Sequence, residues 1–175
     1  MPARLAGEIE RNNMGTLSNI GAKGYGGLAS MLNLLQSPLL LAIRLYWGWQ
    51  FVQDGWGKLT HLDKVTHFFA SLNLPAPGAT AFMVALIEFG GGIFFALGLM
   101  SRLTSLVLFV NMTMAYLSVP DDRTNFFHIL SKPDDFYGAG PYTYWFAALL
   151  ILILGPGHFA IDWLIERSTG HKYKR

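Results

Sequence analysis

The pattern of apolar and polar positions divides the chain into four long apolar stretches and the polar segments between them. One stretch, residues 79–100, lies in a segment where Glu88 is the only Asp, Glu, Lys or Arg between Lys64 and Arg102. A helix of that length crosses a hydrocarbon core of about 30 Å at about 1.5 Å per residue. The pattern therefore predicts an all-α integral membrane protein, a four-helix bundle with spans at about 38–56, 79–100, 103–119 and 142–161.

The polar segments complete the predicted organisation. Residues 1–35 are mixed and glycine-rich, which predicts an extramembrane N-terminal arm ahead of a four-span domain, 36–165, and a basic C-terminal tail, 166–175. The connection at 58–77 is expected to form an amphipathic helix on the membrane surface. Gly155-Pro156-Gly157 is expected to break or bend the last span. The first residues lack a signal-peptide core, so the internal helices are expected to direct insertion.

The distribution of Lys and Arg predicts the orientation. Because cytoplasmic loops carry an excess of these residues, the richer side is assigned to the cytoplasm. Both termini are then cytoplasmic and the connections 58–77 and 120–141 lie outside, in a multi-pass protein of a bacterial-type inner (plasma) membrane. The richer side holds Arg4, Arg11, Lys23, Arg102, Arg167, Lys172, Lys174 and Arg175, and the other holds Lys58, Lys64, Arg123 and Lys132.

Composition excludes several kinds of chemistry. The formal net charge of +2 is too small to indicate nucleic-acid binding. With no cysteine, the chain itself has no disulfide, thiolate metal site, cysteine-ligated iron–sulfur cluster or c-type haem attachment. The five histidines fall in loops or near span ends, so neither a transmembrane haem nor another metal site is expected. Any redox group must come from another protein, and no residue is assigned a catalytic role.

Polar residues within the spans are the candidate site. A carboxyl group at the depth of Glu88 costs about 2.5 kcal/mol or more to insert, so it is expected to face the bundle interior. Counting along the helices places Arg44 about 9 Å from the cytoplasmic edge and Glu88 about 18 Å. Arg44 is expected to extend toward Glu88, either to bind a quinone or lipid headgroup or to fix helix register as an ion pair. In the remaining alternative, Arg44 reaches the cytoplasmic surface instead. The candidate quinone- or lipid-binding residues are Arg44, Glu88, Gln50, Asn111, Trp47, Phe51 and Phe95.

Three motifs give the chain a family resemblance. They are R-x3-G-x2-F-x3-G-x2-K from Arg44 to Lys58, E-x2-GG followed by LG-x3-R from Glu88 to Arg102, and GPG-x4-D from Gly155 to Asp162. In this order they resemble the DoxX family of small four-helix membrane proteins. The resemblance implies a four-span bundle related to the membrane subunit of thiosulfate:quinone oxidoreductase. Residues expected to serve structure are Gly48, Gly55, Gly91, Gly92, Gly98, Arg102 and Asp162.

Three functions are compatible with these observations. The leading hypothesis is a membrane subunit of a quinone-linked electron-transfer complex, which contacts quinone or lipid without its own redox centre. Such a chain is at most a non-redox-active subunit of an oxidoreductase, and its expected partners are the lipid bilayer and a larger membrane redox complex. One alternative is a purely structural accessory subunit. Another is a small proton or solute conduit, which depends on Glu88 alone.

Overall fold

The computed structural model describes the backbone of residues 2–169 and the side chains of residues 25–27 and 29–168. The chain divides into two units, residues 1–37 and residues 38–175. In the first unit, the described large side chains of residues 31–35 are apolar and exposed. The candidate site lies entirely in the second unit.

The regular secondary structure of the described residues is all helical, with no strand among them. The helices that begin at Pro77, Pro120 and Pro133 have proline in the first turn, where the missing N–H removes no helical hydrogen bond. The helices are α1 (Pro2–Thr60), α2 (Leu62–Ser71), α3 (Pro77–Leu97), α4 (Ser101–Ser118), α5 (Pro120–Phe127), α6 (Pro133–Gly138), α7 (Tyr142–Leu154) and α8 (Ile161–Thr169).

Glycines bring α1 and α3 into close contact. A Cβ atom on Gly48 would lie 2.9 Å from the Gly92 carbonyl oxygen, and one on Gly92 would lie 2.9 Å from the Gly48 carbonyl oxygen. One on Gly55 would lie 2.7 Å from the Phe89 Cα atom. These contacts leave no room for a side chain, and their order along the two helices shows that α1 and α3 are antiparallel. Small residues permit the same close approach between helices in membranes.

A tight turn then reverses the chain between α3 and α4. Gly98 caps α3 in the left-handed region at φ +68°, and Met100 adopts φ +46° just before α4 begins. The two helices pack antiparallel, since the added Cβ of Gly91 would lie 2.9 Å from Leu108 and Asn111 hydrogen-bonds to Glu88. The residues left between the predicted spans 79–100 and 103–119, Ser101 and Arg102, thus lie in the first turn of α4, and the connection itself is the left-handed turn at 98–100.

Helix α7 packs against α4 and completes the core. The Trp145 indole N–H donates to the Thr113 hydroxyl at 3.0 Å, while an added Cβ on Gly155 would lie 3.8 Å from the Arg102 guanidinium. These two contacts make α4 and α7 antiparallel. The buried core cluster contains Leu40, Phe51, Phe95, Leu108, Met112, Ala148 and Ile151.

The connection between α4 and α7 is folded rather than open. Helix α5 turns by 108° from the direction of α4 after Ser118. The Tyr116 hydroxyl donates to the Phe136 carbonyl at 3.0 Å, and the two rings stack with centroids 5.2 Å apart. Phe126 packs against both rings, with centroid distances of 5.5 and 5.9 Å. This aromatic group fixes α5 and α6 to the end of α4.

The helices agree with the apolar pattern and refine it. By length and composition, the helices at Tyr25–Thr60 and Pro77–Leu97 are long and apolar enough to cross a membrane, and the bent pair α4 and α5 adds a third candidate if it forms one span. Helix α7 is apolar but has 13 residues. It ends at Leu154, so the predicted span at 142–161 is interrupted at Gly155, where the glycine-proline-glycine break was expected. The surface helix predicted within 58–77 is α2.

We expect Gly55→Ala to destabilise the protein and Gly57→Ala to leave its stability almost unchanged. A Cβ at Gly55 would overlap the α3 backbone at Phe89, whereas a Cβ at Gly57 meets no atom within 4 Å. Overpacking of this kind costs about 1–3 kcal/mol. The apparent melting temperature of the detergent-purified variants measures the difference. Equal melting temperatures would show that α1 and α3 are not packed through Gly55.

Candidate functional site

Glu88 is the centre of a buried polar cluster in the interior of the helical core. It lies on α3, and only 3% of its side chain is exposed. Lys58 of α1 donates from Nζ to Glu88 Oε2, and Asn111 of α4 donates from Nδ2 to Glu88 Oε1 at 3.3 Å. Each carboxylate oxygen therefore has a partner on a different helix. Pairing and hydrogen bonding together reduce the cost of burying a charge.

The cluster extends toward solvent on the Lys58 side. Lys58 is 31% exposed, so its ammonium group connects Glu88 with the polar end of α1. Asp54, one turn earlier on α1, lies close enough to Tyr144 and Glu88 to interact electrostatically with both. We refer to Asp54, Lys58, Glu88, Asn111 and Tyr144 as the carboxylate cluster.

Aromatic side chains line the carboxylate cluster. The Tyr144 ring makes edge contacts with Phe51 and Trp47, at centroid distances of 4.9 and 5.2 Å. Phe51 in turn packs against Phe95 at 6.1 Å. Two of the predicted aromatic candidates, Trp47 and Phe51, therefore lie beside Tyr144, and the third, Phe95, packs against Phe51. An apolar wall with a few polar groups is typical of sites that hold small organic ligands.

Arg44 occupies a different place, at the opposite end of the α1–α3 contact. Its side chain is fully buried, and its Nη2 atom donates to the Phe159 carbonyl at 2.5 Å. The guanidinium lies against Gly98, where a Cβ atom would overlap it. Within the described part of the chain, the Nε and Nη1 atoms of Arg44 have no hydrogen-bond partner. Asp162 is close enough to attract the guanidinium electrostatically.

Asp162 ties the start of α8 to the turn between α3 and α4. Its carboxylate accepts from the backbone N–H groups of Met100 and Ser101, both at 2.7 Å. Its own backbone N–H donates to the Gly98 carbonyl at 3.0 Å. Asp162 thus satisfies N–H groups at the beginning of α4 that have no partner within the helix, and it places negative charge at the positive end of the helix dipole.

The expected meeting of Arg44 and Glu88 does not occur. Arg44 lies beside Gly98, which is ten residues from Glu88 on α3, and ten residues of helix correspond to about 15 Å. Glu88 is bonded to Lys58 and Asn111, and Gln50 is half-buried on α1 outside these hydrogen bonds. Arg44 also does not reach the surface, since its side chain is fully buried. Among the candidates, the structure brings Glu88 together with Asn111 and leaves Arg44 in a second cluster.

Asp54, Lys58 and Tyr144 are the members of the cluster that sequence reasoning did not propose. The sequence does contain a signal for Lys58. One face of α1 carries Arg44, Gly48, Phe51, Gly55 and Lys58. Gly55 lies against Ala85 and Phe89, so the long side chain of Lys58, one turn later on that face, can reach back to Glu88.

The arrangement determines what chemistry the site can offer. The described residues include no group of three or more His, Cys, Asp or Glu side chains placed to hold a metal ion. The carboxylate cluster does offer N–H and O–H donors from Lys58, Asn111 and Tyr144, and two carboxylates as acceptors. Such groups bind a carbonyl or hydroxyl group and exchange a proton with it.

Comparison with known proteins identifies the family. The DoxX family model matches residues 39–121. These residues are a DoxX domain. The match contains Arg44, Lys58, Glu88 and Asn111, and it confirms the resemblance seen in the motifs of α1 and α3. Sequence reasoning had extended that resemblance to residue 165, beyond the part that the family model covers.

A curated relative agrees with this assignment. The chain is 26% identical over 136 residues to inner membrane protein YqjF of Escherichia coli (strain K12), covering 77% of this chain and 97% of the relative. No solved structure matches the chain. The DoxX domain and the apolar helices make this a multi-pass protein of a bacterial-type inner membrane.

We expect Lys58→Met to destabilise the protein and addition of Glu88→Gln to restore part of the loss. Removing Lys58 leaves a buried carboxylate without its cation, which costs about 2–3 kcal/mol at a partly exposed pair. The double variant replaces the charged pair by neutral groups. The apparent melting temperatures of the two single variants and the double variant together measure the interaction between Lys58 and Glu88.

Lys64→Met is the matched control, since Lys64 is exposed on α2. It should change the free energy of unfolding by no more than about 0.5 kcal/mol, and so leave the melting temperature almost unchanged. Additive effects of Lys58→Met and Glu88→Gln would contradict the ion pair.

Asp162→Ala is expected to destabilise the domain more than Asp162→Asn. Alanine removes both acceptors for the Met100 and Ser101 N–H groups, whereas asparagine keeps one oxygen and loses the charge. Loss of a helix cap costs about 0.5–2 kcal/mol, and loss of the charge near buried Arg44 adds to this. Protease sensitivity of the 155–160 segment and melting temperature report the effect. Asp63→Ala, at an exposed site in the first turn of α2, should change neither.

Proposed function

We propose that this DoxX protein is a membrane subunit of a quinone-linked electron-transfer complex, in which the carboxylate cluster contacts a quinone headgroup. The chain contributes hydrogen bonds and a proton-exchanging carboxylate, and the partner complex contributes the redox centre. The observation that carries the proposal is the position of Glu88, buried in the membrane domain between Lys58 and Asn111 and connected to solvent through Lys58. Intramembrane carboxylates that face a polar interior are typical of ligand and proton sites.

The chemistry of a quinone fits this cluster. Its two carbonyl oxygens accept hydrogen bonds, and its reduction takes up protons as well as electrons. Lys58 carries three N–H donors, of which Glu88 uses one, so the ammonium group retains donors for a carbonyl oxygen. The rings of Phe51 and Tyr144, 4.9 Å apart, provide an aromatic wall beside these donors. Arg44 is excluded from the headgroup contact because it lies beside Gly98 and Phe159.

The proposal includes a membrane topology. The helix contacts support a four-span bundle formed by the second half of α1, α3, α4 and α7, because consecutive pairs in this series are antiparallel. The excess of Lys and Arg at one side supports cytoplasmic termini. In this topology residues 1–35 are an extramembrane arm, 36–165 form the membrane domain and 166–175 are a basic tail. Lys58 and α2 then lie at the outer side.

Glu88→Gln tests the proposal in the assembled complex. Affinity purification of the tagged chain in mild detergent, followed by mass spectrometry and organic extraction, measures partners and bound quinone. We expect the variant to keep its partners and to lose quinone content and decylubiquinone-dependent electron transfer by about tenfold or more, since a hydrogen bond to a charged group contributes about 1.5–3 kcal/mol.

Asp63→Asn provides the control, because it makes the same chemical change at an exposed position on α2. It should retain quinone and turnover. Unchanged quinone content and turnover in a fully assembled Glu88→Gln complex would disprove the proposal.

A second function is favoured by one specific observation. Both oxygens of Glu88 are already bonded within the chain, which also suits a purely structural accessory subunit whose buried charges set helix register. In that case Glu88→Gln would lower stability without changing quinone turnover, and deletion of residues 1–35 would release the chain from its partners. A proton conduit at Glu88 would instead appear as proton flux into liposomes that Glu88→Gln abolishes.

A further inference from the structure

The turn that joins α5 to α6 exposes a group of large apolar side chains. Leu130 is 98% exposed and Phe127 is 70% exposed, and Ile129 lies between them with part of its side chain exposed. We refer to Phe127, Ile129 and Leu130 as the apolar tip. Neighbouring Phe126 points the other way, into the contact with Tyr116 and Phe136. The folded connection therefore packs Phe126 inward and leaves most of Phe127 and Leu130 and part of Ile129 exposed.

The backbone N–H groups on either side of the tip, at His128, Ser131 and Lys132, are already paired. The N–H groups of Ser131 and Lys132 both donate to the His128 carbonyl, at 2.9 and 2.8 Å. The His128 N–H donates to the carbonyls of Thr124 and Asn125, at 3.1 and 3.2 Å. Hydrogen-bonded backbone lowers the cost of moving a segment out of water, because unpaired N–H and C=O groups are what apolar surroundings penalise most.

The direction of α5 turns the tip back along α4. Helix α4 has 18 residues and is about 27 Å long, close to the thickness of the hydrocarbon core. Helix α5 begins two residues later and turns by 108°, which is 18° beyond perpendicular. Measured along the α4 axis, its eight residues therefore return by about 4 Å toward the start of α4. In the proposed topology this direction is toward the bilayer, and the acidic start of α5, at Asp121 and Asp122, is the end farther from it.

We propose that the apolar tip inserts into the headgroup layer of the bilayer and anchors the α5–α6 connection to lipid. The occupant is the lipid surface rather than a protein, because the tip lies at the end of α5, which follows a helix about as long as the hydrocarbon core is thick and turns back along it. The segment 120–135 has four acidic and two basic residues, so insertion depends on apolar contact and not on attraction to anionic lipid. The anchor holds the aromatic group of Tyr116 and Phe136 at the membrane surface.

The absence of native cysteine allows a direct test with the full-length chain. Leu130→Cys carries a bimane fluorophore, and Asp134→Cys, exposed on α6, is the matched control. Each labelled protein is reconstituted in phosphatidylcholine nanodiscs that contain a lipid with a nitroxide near the headgroup. We expect nitroxide quenching to be about threefold stronger at residue 130 than at residue 134, and iodide quenching from water to be weaker at residue 130. Both results should persist when anionic lipid or salt is added.

Phe127→Cys serves as a second reporter, so that the result does not depend on one substitution, and it should behave as residue 130 does. Iodide quenching at residues 127 and 130 as strong as at residue 134 would overturn the proposal. A label that iodide reaches in nanodiscs but not in native membranes would also overturn it and would indicate that a protein partner covers the tip.

Discussion

The close contact between α1 and α3 is the constraint on which the other features of the domain depend. Gly48, Gly55 and Gly92 remove side chains from this interface, so that the two backbones meet. The small separation of α1 and α3 lets Lys58 reach Glu88 across the interface, and it places Arg44 against Gly98 at the other end. Packing and electrostatics are therefore coupled here: a larger residue at Gly55 would separate not only two helices but also a buried acid from its cation.

The two buried charges of the domain are neutralised in different ways. Glu88 is paired with a lysine and an asparagine from two neighbouring helices, which suits a group that exchanges protons or ligands. Arg44 is held by a backbone carbonyl and by the nearby carboxylate of Asp162, which also caps α4. The second arrangement joins three segments that are distant in sequence. It explains why the arginine, the glycine after α3 and the final aspartate occur together in the motifs of this chain.

Much of the fold follows from the sequence, because apolar length and helix breakers act locally. The apolar runs predicted α3 and α4, the paired Ser101 and Arg102 predicted a tight turn, and Gly155-Pro156-Gly157 predicted the end of α7. The site was harder to predict. Depth counted separately along each helix placed Arg44 near Glu88, whereas the glycine contacts set a register that separates them. The partners of Asp162 are backbone N–H groups, which have no signature in the sequence.

In the proposed topology, unequal exposure of the two clusters gives the DoxX domain a polarity across the membrane. Lys58 is partly exposed, while Arg44 is closed off beneath the segment that contains Phe159. Under the proposed function, a proton or a small polar ligand that exchanges with Glu88 would therefore communicate with one aqueous compartment, that of α2. The other end of the domain would act as a seal. Sidedness of this kind arises from the positions of a single lysine and a single arginine on one face of α1.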